Sequence, residues 1–219
     1  MDWGLFVRFG PALAQGIAMT IACWIAGTVL GMALGFVIAL VRRRAPRALG
    51  WVLTAYIEFI RGTPFLVQLF VLYYGGPMVG LRLDALPAGI LGLTLYGSAY
   101  FAEIFRAGFQ AVPSGQIEAA RAMGFAPGVI LRRVEVPAML VSALPALVNF
   151  SIILTKETVI LSMITVPEIM FATGKMMAET FAFVETTLVL ALFFWVFVEV
   201  ISRLGRWLER RATHYLLER

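Results

Sequence analysis

Apolar positions in this chain fall in long blocks rather than in the alternating patterns of a soluble fold. Four blocks, at roughly 14–41, 86–105, 141–165 and 183–202, reach about the 20 residues a helix needs to cross the hydrocarbon layer. A fifth, at roughly 51–76, is interrupted by Glu58 and by Arg61-Gly62-Thr63-Pro64. The pattern predicts an all-α membrane protein with five transmembrane helices, a single transmembrane domain over 1–219, and termini on opposite sides.

Composition agrees with that solvent. Of 219 residues, 61% are hydrophobic and 14% charged, with mean hydropathy +0.88. A soluble domain carries about a quarter charged residues, and so few charges would leave its surface as large apolar patches. No basic leader with an A-x-A cleavage pattern precedes the first block, so the amino terminus reads as mature sequence.

The basic residues set the expected orientation. Arg42, Arg43, Arg44 and Arg47 follow span one. Arg106, Arg121, Arg132 and Arg133 lie between spans three and four, and Arg203, Arg206, Arg210, Arg211 and Arg219 follow span five. That is 13 on one face; the other has Arg8, Arg82 and Lys175, while Arg61 and Lys156 fall within spans. Positive charge stays cytoplasmic, so the expected amino terminus is periplasmic and the carboxy terminus cytoplasmic. Membrane orientation accounts for the net charge of +5 without nucleic acid as a partner.

Gly27, Gly31 and Gly35 recur every four residues in span one, a spacing that lets another helix approach closely. A seam within the bundle and a subunit interface are both open readings. Cys23 has no partner and reads as a buried thiol. His214, the one histidine, reads as a solvated residue of the basic tail with no metal cluster around it.

The connection between spans three and four is about 35 residues, longer than structureless loops in compact domains. Over 113–137 it reads as two short helices. Ser114 is a plausible N-cap, Glu118–Met123 favours helix and Gly124 suits the residue past a helix end. Pro127 suits a first helical turn, and Pro137 reads as a stop or kink. The second helix, with Val129, Ile130, Val134, Arg132 and Arg133, is amphipathic and basic. A docking element and a membrane-surface helix both fit.

The segment Glu118-Ala119-Ala120, then Gly124, then Val134-x-Val136-Pro137 resembles the EAA loop of ABC-importer permeases, with Val at both aliphatic positions of the usual Ile-x-Leu-Pro. Arg61-Gly62-Thr63-Pro64, the stretch from Tyr100 to Gly108, Lys156-Glu157-Thr158 and Ile164-x-Val166-Pro167-Glu168 resemble the polar-amino-acid permeases of that family. Glu157 stands where those have Asp or Ser, and Val159-Ile160 where they have Ser-Leu, departures that weaken inference about the solute. The resemblance implies a type I importer fold in the bacterial inner membrane. It implies two ABC ATPase subunits carrying ATP and Mg, a second permease subunit, same or homologous, and a periplasmic or lipid-anchored substrate-binding protein. It also implies alternating access for a polar amino acid, basic or amide-bearing. The ATPase-coupling residues it suggests are Glu118, Ala119, Ala120, Gly124, Arg132, Arg133 and Pro137.

Polar groups inside spans are expensive and face a bundle interior or a water-filled path. Ser151, Thr155, Thr158 and Ser162 fall on one helical stripe, suited to lining a path or to bonding across helices. Glu157 borders that stripe and is the candidate selector for a cationic or amide side chain. Tyr96, Tyr100 and Glu103 share a face of span three, where Glu103 either lines the path or pairs with Arg106 one turn on. Arg61 precedes a proline break, where it either binds a substrate carboxylate or pairs with Glu58. No nucleotide loop of the form G-x-x-x-x-G-K-[ST] occurs, and no histidine is placed for a triad, so neither an enzyme nor a cofactor site is expected in this chain. An ion- or proton-coupled secondary carrier is the alternative; no inverted repeat is visible to favour it.

Overall fold

The computed structural model describes residues 3–217, apart from the side chains of Trp3, Phe6 and 213–217. His214 and Arg219 therefore lie outside what is described. Among the described residues every regular element is helical: α1 (Trp3–Arg44), α2 (Arg47–Gly62), α3 (Phe65–Phe70), α4 (Ala85–Gln110), α5 (Ser114–Ala122), α6 (Pro127–Ile130), α7 (Val136–Glu157), α8 (Ile169–Thr180) and α9 (Phe183–Leu217). Four helical runs are long and apolar enough to span a membrane, and α2 with Phe65–Val79 makes a fifth, bent by 110°.

That bend has a local cause. Pro64 offers no N–H to continue α2, and Thr63 is extended at φ −119, ψ 147. The carbonyls so freed need partners inside a bilayer. Gln68 Nε2 supplies them, donating to Ile60 O at 2.7 Å and to Thr63 O at 3.0 Å. Prolines also explain two widened turns, Val71–Gly75 and Leu131–Glu135. Each ends two residues before a proline, Pro77 and Pro137, whose ring clashes with the carbonyl four residues earlier in a regular helix. Widening the turn moves that carbonyl aside.

Pro137 is therefore neither a stop nor a sharp kink: helix runs on from Pro127 to Ile164, and the second loop helix is the first part of span four. Two further boundaries differ from the sequence reading. The connection after span four holds α8, and α9 continues well past residue 202.

α4 is the centre of the bundle and packs on α1, α7 and α2. The glycine stripe of α1 faces it. A Cβ at Gly35 would lie 2.7 Å from Phe101 Cβ, and one at Gly31 would lie 3.4 Å from Gly97. The stripe is thus a seam within the chain. Cys23 is wholly buried in the same core. A smaller cluster of Phe9, Leu13, Ile169 and Met176 joins α1 to α8. There the buried Glu168 caps α8, accepting from Met170 N and Phe171 N at 2.9 Å.

Candidate functional site

Two regions carry the polar residues singled out by the sequence: the segment 113–137 and a cluster around Tyr100.

In the first, α5 ends in a Schellman turn. Gly124 N donates to Arg121 O at 2.9 Å and Phe125 N to Ala120 O at 3.2 Å. Gly124 takes φ +79, which a side chain resists. The N-cap is Pro113 rather than Ser114, which is the first helical residue and makes no capping bond. Ala120 and Ile130 are buried and anchor the helix pair to each other. Glu118, Ala119, Gly124, Arg132, Arg133 and Pro137 are exposed, as are Met123 at 66% and Phe125 at 45%. The outer surface of this segment therefore offers charge and apolar area together, the composition of a docking face.

In the second, the guanidinium of the exposed Arg61 lies over the Tyr100 ring, 5.4 Å from its centroid, and its pairing with Glu58 does not form. The ring of Tyr100 stacks on Phe150 at 4.6 Å and lies 5.0 Å from Tyr96. Glu157 is half-buried at the end of α7, the helix that stacks Phe150 on Tyr100. The exposed Lys156 diverges from it, as neighbours on a helix do. A cation from α2 thus covers an aromatic surface built by α4 and α7, and α7 ends in a carboxylate.

The other expected path residues stand elsewhere. Both oxygens of Glu103 are engaged, by Arg42 at 2.5 Å and by Arg106 at 2.7 Å, which makes it a tie between α1 and α4. Ser151, Thr155 and Thr158 are buried, and each hydroxyl donates to a carbonyl of its own helix at 2.7 Å. The stripe satisfies itself locally rather than lining an open surface or bonding across helices. Sequence reasoning missed Gln68 and Phe150; the proline break signalled a need for a cap but not its source. Among the described residues no cluster of His, Cys, Asp or Glu is arranged to hold a metal.

Residues 27–214 match the family of binding-protein-dependent transport system inner membrane components. The chain belongs to that family. It is accordingly a multi-pass inner-membrane permease subunit and not an enzyme. It is 37% identical to the Bacillus subtilis protein YxeN, described as a probable amino-acid permease, over 96% of this chain and 95% of that one. It is 32% identical to the B. subtilis arginine transport system permease protein ArtQ, over 96% and 97%. A crystal structure of an amino acid ABC transporter with histidines superposes at a TM-score of 0.88 and 34% identity, covering 96% of this chain and 99% of that one.

Proposed function

We propose that this permease, as a single domain over residues 1–219, moves a polar amino acid into the cytoplasm by alternating access. Its amino terminus is periplasmic and its carboxy terminus cytoplasmic. It works with a second permease subunit and two ATPases that bind ATP and Mg, and receives solute from a periplasmic or lipid-anchored binding protein.

The observation that carries the reading is the Arg61–Tyr100 stack on an aromatic surface shared with Phe150 of α7, the helix that ends in the half-buried Glu157. An amino acid presents a carboxylate and an ammonium a few ångströms apart. A guanidinium matches the first, and a carboxylate in low dielectric favours a cationic or amide-bearing partner over an apolar one. Kinship to an arginine permease and to an amino-acid permease supports the same class. Energy enters through Glu118, Ala119, Ala120, Gly124, Arg132, Arg133 and Pro137, on a segment whose outer face, the buried Ala120 apart, is exposed among the described residues.

The test is purification of the tagged permease with its ATPase, reconstitution in proteoliposomes and uptake of a panel of labelled amino acids. ATP-dependent uptake of basic or amide-bearing amino acids in preference to leucine or glutamate is expected. Uptake without any ATPase, driven by an ion gradient, overturns the reading.

A further inference from the structure

Two of the three arginines that close α1 reach different neighbours. Successive residues on a helix point about 100° apart, so Arg42 meets Glu103 on α4 while Arg43 meets Glu135 in the widened turn Leu131–Glu135. Glu135 is buried. The Arg43 guanidinium also lies over the Phe109 ring of α4, 4.3 Å from its centroid, and Phe109 stacks on Phe36 of α1 at 6.4 Å.

The main backbone neighbours of α5 are α6 and the turn 131–135, and those of the turn are α5, α6 and α7. Ile117 of α5 and Leu131 of the turn add apolar contacts to the main core. A cleft of about 500 Å³ opens between the end of α1 and the turn, lined by Arg43, Arg44, Arg121, Phe125 and Glu135. A push on α5 is therefore felt at the turn, and the polar route from there runs to α1 through Arg43 and to α4 through Arg43 on Phe109.

We propose that the Arg43–Glu135 pair is the joint through which the cytoplasmic segment moves α1 and α4, with both residues acting as positioning residues for coupled transport. The inference rests on the reading of 118–137 as the ATPase-facing segment. Widened helical turns recur at functional sites because they add a pivot within a helix. This one places its acidic residue against the one helix end that also grips α4.

The test uses the whole complex in nanodiscs, with ATP hydrolysis measured with and without solute-loaded binding protein. Glu135→Gln keeps the shape and leaves behind an arginine that is one-third exposed, so assembly is retained. Stimulation by loaded binding protein is expected to fall by about fivefold or more, the lower range of allosteric coupling, with basal hydrolysis unchanged. Glu135→Asp, still charged but one methylene short, is expected to fall between the two, and it carries the test if Glu135→Gln does not assemble. Stimulation within about twofold of wild type in the assembled variant, or basal and stimulated rates falling in equal proportion, overturns the joint. A wild-type complex that shows no stimulation overturns the transport reading itself and this inference with it.

Discussion

Gly35 of α1 and Phe101 of α4 sit back to side with no room for a methyl group between them: a Cβ on Gly35 would come 2.7 Å from Phe101 Cβ and 2.8 Å from Ser98 O. Lipid tails are as apolar as the helices themselves, so close van der Waals packing must hold the spans together. With Gly27, whose Cβ would lie 2.7 Å from Leu93 Cβ, the contact fixes α1 on the central helix.

Gly35→Val is therefore expected to destabilise the bundle by about 1–3 kcal/mol or more, as overpacked cores do. Gly10→Ala, with nothing within 4 Å of the added atom, is the matched control. Thermal unfolding in detergent compares them; equal midpoints refute the seam.

Gly124 holds a positive φ at the end of α5. A β-branched residue there costs about 1–2 kcal/mol in the left-handed region and distorts the turn that presents the docking face. Gly124→Val is expected to abolish stimulation of ATP hydrolysis by loaded binding protein. Normal stimulation in an assembled variant removes this segment from the coupling route.

Glu157 is half-buried at the end of α7. Glu157→Gln is expected to weaken uptake of a basic amino acid roughly tenfold or more, the loss of a charge-assisted bond of about 1.5–3 kcal/mol, with basal ATP hydrolysis intact. Unchanged KM and maximal rate for the native solute make Glu157 structural.

Gln68 caps the broken end of α2 through two carbonyls. Gln68→Leu leaves both without a donor in an apolar setting, at a cost of about 1–3 kcal/mol for an unsatisfied group. A lower unfolding midpoint and faster proteolysis near Thr63 are the expected signs. A midpoint equal to wild type means that water satisfies these carbonyls.

Orientation is checked with reporters. Alkaline phosphatase fused after Arg219 is expected to be inactive, and a fluorescent protein at the same site to be bright. The reverse result inverts the topology derived from 13 basic residues against three.

The spans, their helical class and the existence of a structured segment at 113–137 were legible in the sequence, because the bilayer imposes a length and a hydropathy that no distant contact can change. The glycines at 27, 31 and 35 announced a close approach, and the proline at 64 a break, since both effects are local to the backbone. Tertiary structure alone decided where these features led. It turned the glycine stripe onto α4 within the chain, carried helix through Pro137 by widening one turn, and gave Arg61 to Tyr100 instead of Glu58. It also bound Glu103 between two arginines and folded the hydroxyls of Ser151, Thr155 and Thr158 onto their own carbonyls. The sequence left more than one partner or path open for each of these. A charged or polar group in a bilayer takes whichever partner the packing brings within about 3 Å, and that distance is set by helices far apart along the chain.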